Sequence, residues 1–353
     1  MLEVWLASVH VAGSAVAVGR RAEAEGFDGI SFGDTQNIAA DPFAGLCLAA
    51  TQTERLGLMV GVTNPVTRLP AVVASAIATV QVESAGRAVL GLGRGDSSLG
   101  HVGRVPATVD VTSRFAEDVQ AYLRSDVVDL DGYPSQIPWI ARTGQPKVPL
   151  DVAATGPRML ALGARCAERL TINVGALADR VAWAIDIAQQ VRRDAALQAA
   201  PLSLGAYLVV AAHPDPRVAR DLARGSVAPY AHFSGMPGSP STGLSEEDRA
   251  VIEAVTADYG LSGHSTRHPS ESVRRGEQQA IHVKHLDDGF IDRFGVVGTP
   301  EHCVAKLGEL TALGLERVLL VEGRDAAAPE QERRAHRCLV EDVLPALREA
   351  ASK

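Results

Sequence analysis

Residues 87–100 read Arg-Ala-Val-Leu-Gly-Leu-Gly-Arg-Gly-Asp-Ser-Ser-Leu-Gly, a short apolar run that breaks into glycines, charges and hydroxyls. The run predicts one buried strand that delivers a polar loop. Val89, Leu90 and Leu92 suit a strand covered on both faces, and Gly91, Gly93 and Gly95 let backbone approach backbone or a ligand closely. Asp96, Ser97 and Ser98 then stand where the strand ends, which in parallel α/β architectures is where sites are built. Gly91-Leu92-Gly93 begins like a dinucleotide fingerprint, but Asp96 occupies the place of the third glycine and no helix that would receive a pyrophosphate follows directly. A glycine-rich turn carrying a solvated aspartate is the plainer alternative.

Working outward, the same strand-then-polar-loop unit recurs. Leu2 to Val9 is a strand ending at His10, followed by a helix that Ser14 caps. Gly29 to Phe32 is the next strand and Gly33-Asp34-Thr35-Gln36-Asn37 its loop. Strand, helix and strand in about 30 residues is the length of one parallel βαβ unit. Asp41-Pro42 opens a helix with a cap and a proline at its first position. Leu56 to Val62 is a third strand, with the loop Thr63-Asn64-Pro65-Val66-Thr67-Arg68, and Pro70 starts the helix that leads to Arg87.

Beyond the opening stretch, Val105 to Arg124 reads as a helix and Asp126 to Pro138 as irregular chain with a short hairpin. Pro149 to Ala154, Arg169 to Val174, Leu202 to Ala212 and Arg317 to Val321 complete eight strands. Thr155-Gly156-Pro157-Arg158 caps a helix whose first-turn amides suit an anion. From Pro229 to Phe290 the chain is rich in Gly, Ser, Pro and His, with a helix only over Glu246 to Tyr259; such a stretch fits a lid or an oligomer contact. A last helix runs from about Pro329 to Leu347. The alternation predicts an α/β fold, a single (β/α)8 TIM barrel over residues 1–353 with an insertion after the seventh strand at about 229–290.

The chain has 353 residues, 46% hydrophobic and 22% charged, with 34 basic against 42 acidic side chains and a net charge of −8. This balance, without a basic cluster, argues against nucleic acid as a partner. No apolar stretch reaches the roughly 18 residues of a membrane span. Cys47, Cys166, Cys303 and Cys338 form no Cys-x-x-Cys, and no signal segment opens the chain, so the expectation is a reduced, cytoplasmic protein. No close pair of His and carboxylate ligands marks a metal site, and Gly-x-Ser-x-Gly is missing.

Three motifs carry a family resemblance: Gly61-Val62-Thr63-Asn64-Pro65-Val66-Thr67-Arg68, Gly86-Arg87 through Gly95-Asp96-Ser97, and Ala153-Ala154-Thr155-Gly156-Pro157. Together they resemble the luciferase-like flavin and deazaflavin oxidoreductases, near the branch of methylenetetrahydromethanopterin reductase, over about residues 1–225 and again from Gly298. The resemblance implies a barrel that binds coenzyme F420, or alternatively FMN, at the strand ends, with a non-prolyl cis peptide at Gly61-Val62. It implies that Asp34 approaches the ring edge and that Gly61, Val62, Thr63, Asn64, Arg94, Gly95, Ser97, Thr155, Gly156, Pro157 and Met159 hold the cofactor. It departs from the sugar phosphate dehydrogenase branch, where a histidine and a glutamate stand at the positions of Thr35 and Asp96; Thr35 is a poor proton acceptor, which puts that activity in doubt.

The expected function is F420-dependent hydride transfer to or from a small organic substrate. Asp96 is the candidate proton donor or acceptor, with Asp34 and His10 beside it as further catalytic candidates. Trp139, His232 and Phe233 are candidate substrate contacts, and the resemblance implies a homodimer. The alternatives are an FMN-dependent monooxygenase and a non-catalytic cofactor or ligand carrier.

Overall fold

A computed structural model describes residues 2–197, 200–236, 240–259, 283–325 and 327–351, with the backbone but not the side chains of Ser97 and Ala351. The strands are β1 (Glu3–Ser8), β2 (Gly29–Phe32), β3 (Gly57–Thr63), β4 (Ala88–Leu92), a hairpin of β5 (Val128–Leu130) and β6 (Tyr133–Ser135), β7 (Leu150–Ala154), β8 (Arg169–Ile172), β9 (Ser203–Ala212), β10 (Val296–Gly298) and β11 (Arg317–Glu322). One sheet runs β10-β9-β11-β1-β2-β3-β4-β7-β8, and β9 also pairs with β8, which closes it. The barrel strands are β1, β2, β3, β4, β7, β8, β9 and β11, and helices fill the connections. This is the predicted parallel (β/α)8 barrel. The short β10, aligned along Val210 to Ala212 of β9, was not expected. All four residues of β2 and all five of β4 are buried, as apolar runs in a two-faced parallel sheet should be.

Inter-residue packing divides the chain into two compact units. One comprises Leu6–Ala153 and Leu162–Leu170. It holds α1 (Ala15–Ala24), α2 (Pro42–Ala50), α3 (Pro70–Glu83), the single turn α4 (Ser97–Gly100) and α5 (Val109–Leu123). Asp41 caps α2 by accepting from Ala44 N at 3.0 Å, with Pro42 in the first position. Ser14 precedes α1 but does not cap it: its hydroxyl donates back to the Val11 carbonyl at 2.7 Å. Helix α5 starts later than Val105 because Thr108 caps it, accepting from Val111 N at 3.2 Å.

The other unit comprises Met1–Trp5, Ala154–Ala161 and Thr171–Lys353. Here lie the first half of α6 (Pro157–Cys166), whose residues from Leu162 on belong to the first unit, and α7 (Ala178–Asp194), α8 (Pro216–Ser234), α9 (Glu246–Asp258), α10 (Asp288–Phe294), α11 (Pro300–Ala312), α12 (Pro329–Cys338) and α13 (Leu344–Ala351). The expected break at Pro229 is overturned, since α8 runs through it to Ser234. A proline inside a helix costs about 3 kcal/mol. Val227, Ala228 and Ala231 offset that cost by burial in a core shared with Ile252, Val255, Phe290 and Phe294. Much of the predicted insertion, 260–282, lies outside the described residues. The expected single final helix is interrupted by a π-turn at Leu339–Val343.

Candidate active site at the carboxyl ends of the first four strands

The ladder of β2 and β3 pairs Phe32 with Val60, so the residues just beyond β2 come level with the end of β3. Asp34, 2% exposed, fills this position. Its Oδ2 accepts from Thr63 Oγ1 at 2.7 Å and from Arg68 Nε at 2.9 Å, while Oδ1 accepts from Arg68 Nη2 at 3.1 Å. Nη2 of Arg68 also donates to Asp41 Oδ2 at 2.7 Å, and the guanidinium lies 4.9 Å from the Phe43 ring centroid. Burial alone would lower the pKa of Arg68, but the two carboxylates raise it above the ordinary arginine value. Burial pushes the Asp41 carboxyl up, and the bonds from Arg68 and the helix amides outweigh it and bring the group below its ordinary value.

Arg68 reaches Asp34 because Asn64 shapes the intervening loop. Asn64 Oδ1 accepts from Val66 N at 3.0 Å, Thr67 N at 3.1 Å and Thr67 Oγ1 at 3.3 Å. Asn64, expected among the cofactor contacts, thus engages its side-chain carbonyl within its own loop.

His10, two residues beyond β1, is buried and stacks on Phe32, with ring centroids 5.5 Å apart. Its Nδ1 lies 2.8 Å from the Asp41 carbonyl oxygen. A carbonyl can only accept, so Nδ1 carries the hydrogen and Nε2 of the neutral ring presents a lone pair. That Nε2, like Thr35 Oγ1, is buried without a hydrogen-bond partner among the described residues. Two orphaned polar atoms in loops after β1 and β2 mark a place suited to a polar ligand.

The Gly61-Val62 peptide is cis, as the resemblance implied. The β3–β4 register shifts between Val60 and Thr63 at that point. A Cβ on Gly91 would lie 2.3 Å from the Val60 carbonyl oxygen, so the first glycine of the opening stretch serves strand-to-strand approach. Gly95 takes φ of +79°, in the left-handed region, and turns the chain into α4. Arg94 Nε donates to the Ala107 carbonyl at 2.5 Å and Ala107 N donates to Arg94 O at 3.0 Å, so Arg94 is tied to the segment before α5. Asp96 precedes α4, yet its side chain does not cap that turn. Gln36 Nε2 donates to Ser98 O and Asn37 Nδ2 to His101 O, each at 3.2 Å, which joins the β2 and β4 loops. The side chain of Ser97 lies outside the described residues.

Within this unit the structure brings His10, Asp34, Thr63 and Asn64 around Arg68 and Asp41. It does not bring Trp139 there. Residues 139–146 pack at the carboxyl end of α3, where Gln81 Nε2 donates to Pro146 O at 2.9 Å, beside the amino end of β4. Arg68 and Asp41 were not singled out from the sequence as site residues, although one closes the Thr63–Arg68 motif and the other was read as a cap.

In the other unit, β7 ends at Ala154 and Gly156 O accepts from Leu160 N at 3.0 Å, with Pro157 opening α6 as expected and Met159 buried. Thr155 and Gly156 therefore stand at a helix N-terminus, whose first amides have no intrahelical acceptor. His232 is buried in α8 and stacks on Tyr259, with centroids 4.1 Å apart, and Phe233 meets Tyr230 edge-on at 5.8 Å. Tyr230 in turn lies 6.4 Å from Tyr207. Tyr207, the fifth residue of β9, is the ring through which this cluster meets that strand. No group of three or more metal-ligating side chains occurs among the described residues, and no described helix is long and apolar enough to cross a membrane.

Comparison with known proteins places these features in a family. The model of the family described as luciferase-like monooxygenase matches residues 5–317. A 5,10-methylenetetrahydromethanopterin reductase of Methanolobus tindarius is 28% identical over 305 residues, covering 84% of this chain and 86% of its own. Among solved structures, the coenzyme F420-dependent tetrahydromethanopterin reductase of Methanopyrus kandleri aligns with a TM-score of 0.73 at 20% identity, covering 98% of this chain and 99% of its own. An F420-dependent secondary alcohol dehydrogenase, solved with an F420-acetone adduct, aligns with a TM-score of 0.72 at 18% identity over 98% of this chain and 99% of its own. With the closed barrel, the cis peptide and a family match over residues 5–317 in hand, the chain belongs to the luciferase-like monooxygenase family.

Proposed function

We propose that this chain is a coenzyme F420-dependent oxidoreductase acting on a small organic substrate. The observation that carries the reading is the buried Asp34 carboxylate, fixed by Thr63 and Arg68 at the end of β3 beside the cis Gly61-Val62 peptide. The orphaned His10 Nε2 and Thr35 Oγ1 fit a polar, ring-shaped partner there. The cofactor, when bound, supplies hydride transfer; the protein supplies orientation and proton handling.

Asp34 presents a fixed acceptor, because a carboxylate offers about four lone-pair sites. Three are taken, leaving one on Oδ1. Thr63, Asn64, Arg94, Gly95 and Ser97 line or shape the loops that would receive the cofactor. The backbone amides around Thr155, Gly156 and the first turn that Pro157 opens suit a phosphate, Pro157 itself having no N–H to donate, and Met159 is buried in that turn. Asp96, whose carboxylate does not cap α4, remains the proposed proton donor or acceptor. We place the enzyme in the cytoplasm, in keeping with its unpaired cysteines. We read it as a homodimer: the largely uncharged α2 and α3 leave Leu48 at 50% and Val72 at 49% exposure, and Leu69 just before α3 at 70%.

Turnover assays with F420 and, separately, with reduced FMN under an oxygen electrode test the reading. F420 oxidation or reduction without oxygen uptake supports it. Oxygen uptake with reduced FMN and no reaction with F420 points to a monooxygenase, and binding without turnover of either to a carrier. Replacing Asp96 with Asn is expected to lower turnover while leaving F420 binding intact.

A further inference from the structure

We propose that Arg68, seated by Asp41, is the positioning residue that sets the direction of the Asp34 carboxylate and thereby the affinity for the deazaflavin; this rests on the F420 reading above. Arg68 is held from three directions. Its own loop is folded by Asn64 Oδ1, its fork closes on Asp34 through Nε and Nη2, and Nη2 reaches Asp41 at 2.7 Å while the guanidinium plane lies near Phe43. The Asp34 side chain is 1% exposed and Arg68 21%, so the guanidinium is the solvent-side member of the pair.

The geometry constrains what Asp34 can do. The fork takes one position on each carboxylate oxygen, and Thr63 takes the second position on Oδ2. The vacant acceptor position is therefore confined to Oδ1, and its direction follows from the planar fork rather than from the rotamer of Asp34 alone. A lysine would hold one oxygen as a point charge and leave the plane of the carboxylate less defined.

Asp41 fixes Arg68 in turn and does more than cap a helix. Its Oδ1 accepts from Ala44 N, its Oδ2 from Arg68, and its carbonyl oxygen from His10 Nδ1. One residue thus sets the position of the arginine and the tautomer of the histidine.

The test is titration of the full-length protein with coenzyme F420, followed by fluorescence, with the absorbance spectrum of bound F420 and a thermal melt recorded for each variant. Wild type, Arg68→Lys, Arg68→Met and Asp41→Asn are compared. Arg68→Met is expected to weaken binding by roughly thirtyfold or more, the scale for losing one partner of a buried hydrogen-bonded charge pair, and to move the bound spectrum toward that of free F420. Arg68→Lys should recover part of both losses. Asp41→Asn keeps an oxygen for Ala44 N but turns an amide donor toward Arg68, and should weaken binding by roughly three- to tenfold.

Arg68→Met protein that melts lower yet binds F420 within twofold of wild type, with the same bound spectrum, overturns the proposal and leaves Arg68 a structural residue. If Arg68→Met does not fold, Asp41→Asn decides by the same two readouts. Failure of the wild type itself to bind F420 refutes the functional reading and this inference with it, an outcome distinct from selective failure of the variants.

Discussion

His10 donates from Nδ1 to the carbonyl oxygen of Asp41 at 2.8 Å, so the residue that caps α2 also decides which nitrogen of the imidazole carries the hydrogen. Nε2 is left buried with no hydrogen-bond partner among the described residues, and carries a lone pair whenever the ring is neutral. Asparagine places its amide nitrogen as many bonds from Cβ as Nδ1 and can keep the bond to Asp41, whereas it lacks any counterpart of Nε2. His10→Asn is therefore expected to melt within a few degrees of wild type and to lose turnover by about tenfold or more, in the range of a lost proton-handling group. Long-range proton–nitrogen correlation spectra of histidine-labelled protein check the premise, since one ring absent from His10→Asn should show the Nδ1–H tautomer. An Nε2–H tautomer, or unchanged turnover in His10→Asn, removes His10 from the chemistry.

Gly91 is required by the neighbouring strand. A Cβ there would stand 2.3 Å from the Val60 carbonyl oxygen and 2.7 Å from Met59 Cε, and the first of these is backbone that cannot swing aside. Gly91→Ala should destabilise the fold by about 3 kcal/mol or more, at the upper end of overpacking costs. Denaturant unfolding of the variant measures this, and a loss under 1 kcal/mol would mean that β3 and β4 separate more easily than their ladder implies.

Lys306 gives the fold a pH dependence above neutrality. Its Nζ donates to the carbonyls of Asp292, Arg293 and Gly295 at 2.5, 2.7 and 2.6 Å, closing the carboxyl end of α10. Burial pulls its pKa down from the ordinary 10.5 to about 8. Between those two values the unfolded chain binds a proton that the native chain does not, so stability should rise from pH 8 toward pH 10. Lys306→Met should abolish that rise and, by leaving three carbonyls without their donor, lower stability at pH 7 by roughly 2–3 kcal/mol. Melting curves across pH for both proteins test the sign.

Most of the barrel was legible because apolar runs alternate with helices, some of them with a readable cap, as Gly29 to Phe32 and Asp41-Pro42 illustrate. What escaped prediction depends on tertiary context. Proline signals a helix end locally, but the buried faces of Ala228 and Ala231 carry α8 past Pro229. The three residues of β10 are too few for a periodic pattern. In the site, the strand-end residues could be listed from sequence, but the bond between Asp34 and Arg68 spans 34 positions. The available signal was topological: adjacent parallel strands β2 and β3 bring the residues after Phe32 level with those after Val60. For the aromatics the sequence offered only scarcity as a signal for Trp139, His232 and Phe233, and the ring contacts of His232 with Tyr259 and of Phe233 with Tyr230 depend on tertiary structure that no local pattern encodes.

The central claim is that the strand-end cluster around Asp34 receives a deazaflavin. Fluorescence titration of the purified protein, freed of bound cofactor, with F420 and in parallel with FMN tests it most directly. Saturable F420 binding at micromolar or lower dissociation constant, with FMN at least tenfold weaker, is the predicted result; tight FMN binding with no saturable response to F420 contradicts it.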